Sequence, residues 1–368
     1  MMKGSSPRIT LLGNNSGRNL GDAAIMSAIL DVLSKELPTA EFYVPSIAPQ
    51  FIDDHYGEQY NVKGINVMPW TGSLRLLGIP TMRCIAKSDI ALICDGIIFG
   101  KNLWNPAFNF LITLIFLVPW AKLTGCKVVC YSCGIGPFPS FWSRLFARWV
   151  INGSDLVIMR ENDSKALAEE IGVTKPIEVT GDAAFLNPVS SPERAIEICK
   201  EEGISLDRPI LGINVTKYID SWLKPEERIS DKSVFLSELA EGLRLFASDE
   251  KDPVQFVLFC TQPMDEPFTY ELASQIDAKV VHNSKYLSHD IQSVMQRCEL
   301  LIGMRFHSLV LASAVEAPIV GLIYAPKVRG FMRLLDCEEF GLELGTLSPS
   351  ILSQTLTKAW NNRQELKR

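Results

Sequence analysis

Two doubly wound α/β domains with a cleft between them are the architecture that this sequence predicts. Three observations predict it. Short apolar runs of strand length recur along the chain and end at glycine, an acid or arginine; most are followed by a stretch of helical composition; and the series starts afresh after a proline- and serine-rich connection, NPVSSPE at Asn187–Glu193. Strand–helix–strand repetition of this kind builds parallel sheets. The length of 368 residues also suits two domains better than one. The first domain is expected over residues 1–187 and the second over 194–368.

In the first half, Arg8–Leu12 reads as a strand, followed by a polar, glycine-rich turn from Gly13 to Asp22 and a helix from about Ala23 to Leu37. The turn is neither GxGxxG nor a Walker loop, since it lacks GK[ST]. Two readings of it stay open: a tight turn with Asp22 capping the helix, or a loop whose glycines let backbone N–H groups approach a ligand. Ile90–Cys94 is the next strand and ends in Asp95-Gly96; Lys127–Ser132 ends in Cys133-Gly134-Ile135-Gly136-Pro137. Leu156–Met159 ends at Arg160, before a helix over Glu161–Ile171 that Gly172 stops, and Ile177–Thr180 ends at Gly181-Asp182. The repetition points to one functional edge of a parallel sheet, where open α/β sheets bind ligands.

The second half repeats the pattern. Strands are expected at Ile210–Val215, Val254–Cys260, Val280–Val281, Leu300–Ile302 and Ile319–Tyr324, and helices at Ser233–Ser248, Phe268–Ile276, Phe331–Leu335 and Pro349–Trp360. Its most informative stretch is LLIGMRFHSLVLASAVEAPIVGLIYAPKVRGFMRLL, residues 300–335. Met304-Arg305-Phe306-His307 reads as a turn, Ser308 as the cap of an Ala-rich helix, and Ala325-Pro326-Lys327 as the end of the following strand. Arg305, His307 and Lys327 thereby reach the carboxyl ends of two neighbouring strands. Two cations and an imidazole beside a helix N-terminus suit a small anion.

Composition narrows the classes. A net charge of −6 argues against bulk attraction to nucleic acid, so any basic site must be local. Nine scattered cysteines do not form a disulfide pattern; Cys130 and Cys133 make a CxxC, with Cys133 expected in a loop and packing the favoured role. Of the four histidines, His55 lies in a polar connection, and His282 and His289 have no acids in register for a metal, so no metal is expected. MMKGSSPRITLL lacks the apolar core of a signal peptide, which makes the cytoplasm the default location. Phe108–Val118, closed by Pro119-Trp120, is almost unbroken hydrocarbon yet too short to span a bilayer. It reads as a helix buried against a sheet, with a patch resting on the inner face of a membrane as the alternative.

Five segments, NLGDAAIM, CGIGPF, MRENDSKALAEEIGV, GMRFHSLVLA and YAPKVRGFM, resemble in this order the polysaccharide pyruvyl transferase family, over about Leu11 to Leu335. The resemblance implies a GT-B-like fold, two Rossmann-like domains facing a central cleft. It also implies transfer of the pyruvyl group of phosphoenolpyruvate to a sugar of a polysaccharide or lipid-linked glycan as a ketal, with no cofactor. It carries over to His307 as general acid/base, to Arg160, Arg305 and Lys327 as phosphoenolpyruvate ligands, and to Asn19, Asp22 and Asp95 on the acceptor side. Two segments depart from the family's pattern: Glu161 follows Arg160 where an aspartate is usual, and CDGIIFG has fewer glycines than the usual run. Two rival readings share the fold: a GT-B glycosyltransferase using a nucleotide sugar, and a non-catalytic glycan-binding protein.

Overall fold

The computed structural model describes residues 6–74, 76, 78–217, 232–251 and 253–367. The chain forms two compact units, one of Met1–Gly17 with Asp22–Leu186, the other of Arg18–Gly21 with Asn187–Arg368. The first five residues of the N-terminal stretch lie outside the described residues.

In the first unit the order is β1 Arg8–Leu12, α1 Leu20–Glu36, β2 Glu41–Ser46, α2 Pro49–Tyr56, β3 Val62–Asn66, α3 Ile79–Lys87, β4 Ile90–Cys94, α4 Leu111–Thr124, β5 Lys127–Cys133, α5 Phe141–Gly153, β6 Leu156–Met159, α6 Asn162–Glu170 and β7 Glu178–Val179. The seven strands lie in the order β3-β2-β1-β4-β5-β6-β7, and every pairing is parallel. The order reverses between β1 and β4, which opens a crevice at their carboxyl ends. The buried apolar runs of β1 and β4 follow from helices covering both faces of such a sheet.

The second unit runs α7 Pro192–Glu201, β8 Ile210–Asn214, α8 Lys232–Asp249, β9 Gln255–Cys260, α9 Glu266–Ile276, β10 Lys279–His282, α10 Ser288–Met295, β11 Cys298–Gly303, α11 Phe306–Ser313, β12 Ile319–Ile323, α12 Pro326–Leu334, β13 Gly341–Glu343, α13 Pro349–Asn361 and α14 Arg363–Leu366. Its six strands pair in parallel in the order β10-β9-β8-β11-β12-β13. The switch point falls between β8 and β11, the counterpart of the first sheet's. Both units are therefore Rossmann-like, and the fold is α/β of the GT-B class.

Several element ends differ from the sequence reading, each for a local reason. α1 begins at Leu20, because the side chain of Asn19, not Asp22, accepts the first-turn N–H, that of Gly21, at 3.0 Å. α4 does not stop at Pro119: it continues to Thr124, where Gly125 at φ 76° turns the chain left-handed and returns its N–H to Ala121 and Lys122. α11 begins at Phe306, with Arg305 in the cap position, so His307 is helical and Ser308 donates its hydroxyl back to the Arg305 carbonyl at 2.6 Å. α12 begins at Pro326 rather than Phe331, because a first-turn proline lacks only an N–H that would be unpaired anyway. Cys133 belongs to β5, not to the loop beyond it. Pro192 and Glu193 of the expected linker open α7 behind the cap Ser191, and Asn187 donates to Gln292 at 2.6 Å within the second unit.

Candidate active site

At the switch point of the first sheet, Gly13 follows β1 so closely against β4 that a Cβ there would lie 2.8 Å from the Asp95 carboxylate and 2.9 Å from the Cys94 sulfur. Asn14 next to it ties two carboxylates together. Its backbone N–H donates to Asp95 Oδ2 at 2.8 Å, and its side-chain Nδ2 donates to Asp22 Oδ2 at 2.7 Å. Asp95 is buried and holds a left-handed backbone, φ 59°, a conformation that costs energy and clusters at functional sites. Burial and the neighbouring Asp22 charge push the Asp95 carboxyl well above the usual range, against the pull of the Asn14 N–H and Arg160.

Arg160 closes the same cluster from the end of β6. Its Nε donates to Glu161 at 2.6 Å and its Nη1 to Asp182 at 3.1 Å, with the guanidinium laid so close on Gly134 that no side chain would fit there. Burial opposes the charged form of Arg160, but Glu161 and Asp182 outweigh it and raise its pKa. Asp182 Oδ1 also accepts the Ala184 N–H at 2.9 Å, and Ser132 bridges the Gly181 carbonyl and the Ala183 N–H at 2.8 Å each. Of the residues expected to act, the structure thus gathers Asp22, Asp95 and Arg160. Taken together the cluster is acidic, since one guanidinium faces four carboxyl groups. Such a set is equipped to accept hydrogen bonds from hydroxyls.

In the second unit a cationic group stands at the end of β11. Asn214, the last residue of β8, accepts the Arg305 backbone N–H at 3.0 Å and donates to the Phe259 carbonyl at 2.9 Å. The Arg305 Nε donates to Asp265 Oδ2 at 2.5 Å. Asp265 is completely buried, and its other oxygen accepts from the Thr216 hydroxyl at 3.0 Å and the Lys217 N–H at 3.2 Å. The Arg305 Nη2 is buried and has no hydrogen-bond partner among the described residues. His307 stands in the first turn of α11, edge to face with the Phe306 ring at 5.1 Å. Its imidazole lies against Gly21, where a Cβ would overlap the ring.

That approach exists because Arg18–Gly21 is fastened into the second unit: the Leu20 N–H donates to the Thr261 carbonyl at 3.0 Å, and Asn283 Nδ2 donates to the Arg18 carbonyl at 3.1 Å. Asn19 therefore groups with His307 and not with Asp22 and Asp95. Lys327, exposed in the first turn of α12, has its Nζ 6.0 Å from the centre of the Phe306 ring. Arg305, His307 and Lys327 stand at the ends of neighbouring strands, β11 and β12, at the starts of two helices whose N-terminal dipoles add positive potential.

The sequence reading missed Asn14, Asp182, Asn214 and Asp265. Asp182 carried a signal, an acid just after a strand, and so did Asn214 as the last residue of β8. Asp265 carried a weaker one, an acid in the turn TQPMDEP after β9. Among the described residues no group of three or more His, Cys, Asp and Glu side chains is arranged to hold a metal ion.

The family model for polysaccharide pyruvyl transferase matches residues 19–326. The amylovoran biosynthesis protein AmsJ of Erwinia amylovora is 20% identical over 403 residues, spanning 98% of this chain and 93% of AmsJ. Among solved structures, a putative UDP-N-acetylglucosamine 2-epimerase from Listeria monocytogenes matches with a TM-score of 0.62 at 13% identity, over 99% of this chain and 90% of the other. The UDP-GlcNAc 2-epimerase of Methanocaldococcus jannaschii matches with a TM-score of 0.62 at 12% identity, over 96% and 91%. The E. coli ADP-heptose lps heptosyltransferase II matches with a TM-score of 0.53 at 12% identity, over 97% and 99%. These likenesses carry the fold alone. The family match spans most of the chain and includes Asn19, Asp22, Asp95, Arg160, Arg305 and His307, and on it the chain belongs to the polysaccharide pyruvyl transferase family.

Proposed function

We propose that the protein transfers the pyruvyl group of phosphoenolpyruvate to a sugar of a polysaccharide or lipid-linked glycan, forming a ketal and releasing phosphate. The observation that carries this reading is the trio at adjacent strand ends: Arg305 and His307 flank the start of α11, and Lys327 stands at the start of α12. Phosphoenolpyruvate presents a carboxylate and a phosphate. A guanidinium whose Nη2 has no hydrogen-bond partner among the described residues, an ammonium and two helix N-termini match those charges.

In this reading His307 delivers a proton to C3 of phosphoenolpyruvate, and C2 becomes an electrophile that a sugar hydroxyl attacks. The hydroxyl proton returns to the imidazole. The C2–O bond to phosphate then breaks, a second sugar hydroxyl adds to C2, and its proton leaves with the phosphate. One phosphoenolpyruvate and one diol thus give one cyclic ketal and one phosphate. Arg305 and Lys327 hold the donor and balance the charge on the leaving phosphate. Asp22 and Asp95 of the first unit are assigned to the acceptor hydroxyls, and Asn19 to the surroundings of His307. Arg160, whose charge Glu161 and Asp182 already neutralise, contributes less to holding the donor than Arg305 does.

The test is phosphate release from phosphoenolpyruvate with bacterial glycans as acceptors. His307→Ala should abolish turnover while leaving phosphoenolpyruvate binding in place. Undiminished turnover in that variant would remove His307 from the chemistry. A chain that binds glycans but never consumes phosphoenolpyruvate would be a binding protein of this fold.

A further inference from the structure

The aromatic surface of the first unit has no part in the proposed chemistry. Helix α5, FWSRLFARWVING, buries Ser143, Ala147, Val150 and Ile151 against the unit's core. A helix placed this way should present a polar outer face. Instead Phe141, Trp142 and Trp149 are 71%, 50% and 55% exposed, with Leu145 and Phe146 half-buried between them. At about 100° per residue these five side chains share one arc of the helix, opposite the buried one, and Arg144 and Arg148 fall in the seam between the two arcs.

The rings join into a continuous surface. Phe141 meets Trp142 at 5.5 Å between ring centres, Trp142 meets Phe146 at 5.9 Å, and Phe146 meets Trp104 at 6.1 Å. Trp104, from the connection before α4, is 65% exposed. This surface is not the hydrocarbon run that stands out in the sequence. Of Phe108–Val118 only Phe108 and Phe116 are exposed, while Phe110, Leu111, Leu114, Leu117 and Val118 are packed inside.

Charge identifies what the surface fits. Residues 96–154, which carry the whole aromatic patch, contain no Asp or Glu, but they hold Lys101, Lys122, Arg144 and Arg148, besides Lys127, which pairs with Asp155 at 3.1 Å, in a chain whose net charge is −6. Arg144 lies 3.6 Å from Glu170 on α6, an exposed pair that contributes little. A second copy packed on this face would set Arg144 and Arg148 against their own copies, with no acid in the stretch to receive them. Anionic headgroups supply that missing charge, and Trp and Phe rings beside them fit the boundary between headgroups and acyl chains. Among the described residues no helix is long and apolar enough to cross a membrane, so this contact would be made from one side. We infer that the face formed by Trp104, Phe141, Trp142, Phe146 and Trp149, with Arg144 and Arg148 beside it, docks the protein onto an anionic phospholipid bilayer.

The test is co-sedimentation of the full chain with phosphatidylcholine vesicles prepared with and without phosphatidylglycerol. Binding is expected only when phosphatidylglycerol is present, and to weaken as salt rises. Trp104→Ser/Phe141→Ser/Trp142→Ser and, separately, Arg144→Glu/Arg148→Glu should each lower vesicle affinity by roughly tenfold or more. Both variants replace exposed side chains, so their melting temperatures should match the wild type, and the second keeps the test alive if the first does not fold. Failure to bind anionic vesicles, or equal binding by both variants, would overturn the inference. So would a wild-type dimer in sedimentation equilibrium that the aromatic variant converts to a monomer, since that assigns the face to a second copy.

Discussion

Asp265, wholly buried, receives the Nε–H of Arg305 at 2.5 Å across 40 residues of sequence. The pair joins the turn after β9 to the start of α11. It fixes one edge of the guanidinium, while the buried Nη2 has no hydrogen-bond partner among the described residues. In the proposed donor-binding role such a tether matters, because the flexible stem of Arg305, 16% exposed, would otherwise have to be ordered by the ligand.

Replacing Asp265 with Ala strips that tether and leaves the Thr216 hydroxyl and Lys217 N–H without the acceptor they share. Breaking a buried charge pair from one side costs about 3–5 kcal/mol. Chemical denaturation should show a loss of that order, together with weaker phosphoenolpyruvate binding. A variant as stable as the wild type, with unchanged affinity, would mean that Asp265 positions nothing.

Gly21→Ala should disturb His307 rather than the first unit's acids, because the added methyl overlaps the imidazole. With four histidines in the chain, the His307 ring signal can be assigned in a proton NMR spectrum by its loss in His307→Ala. That one signal should move in Gly21→Ala and turnover should fall. An unmoved signal would show that the ring does not rest on Gly21.

Asp95 gives a pH dependence with a definite sign. Burial, then the Asp22 charge, raise its folded pKa well above the unfolded value of about 3.9. A group shifted in this direction holds its proton more tightly when folded. Its contribution to stability is complete below the unfolded pKa and is lost as pH rises through the folded one. Asp95→Asn removes the titration and keeps an oxygen for the Asn14 N–H. The wild-type melting temperature should therefore fall more than the variant's between mildly acidic and mildly alkaline pH. Parallel curves would place the Asp95 pKa near its ordinary value.

The residues that organise the second unit's site were legible because they are local. The run Leu300–Gly303, Arg305 and His307 just beyond it, and Ile319–Ile323 with Lys327 after it, spell out strand, turn, helix and strand within one stretch of sequence. Three strands were not legible: β2 carries Pro45, β3 is the polar VKGIN at one edge of its sheet, and β13, at an edge of the other, has three residues, so none shows a long apolar run. Pro326 was misread as a terminator because a proline both ends a strand and starts a helix. The partners that shape the site, Asn14 with Asp95 and Asp265 with Arg305, meet across 81 and 40 residues, and no local pattern announces such a pairing. The run Phe108–Val118 was legible as a buried helix. Hydrocarbon on all sides of a short helix signals burial, whereas the exposed aromatic face lay in the more mixed FWSRLFARWV.

The most direct test of the proposed activity is a calorimetric titration of the wild type and Arg305→Ala with phosphoenolpyruvate, with UDP and UDP-glucose as comparison ligands. No acceptor is needed, and a ligand that binds only the folded state also raises the melting temperature by mass action. Saturable binding of phosphoenolpyruvate by the wild type, its loss in Arg305→Ala, and no binding of either uridine nucleotide are expected. Tight binding of the nucleotides with none of phosphoenolpyruvate, or phosphoenolpyruvate binding indifferent to Arg305, would contradict the proposed activity.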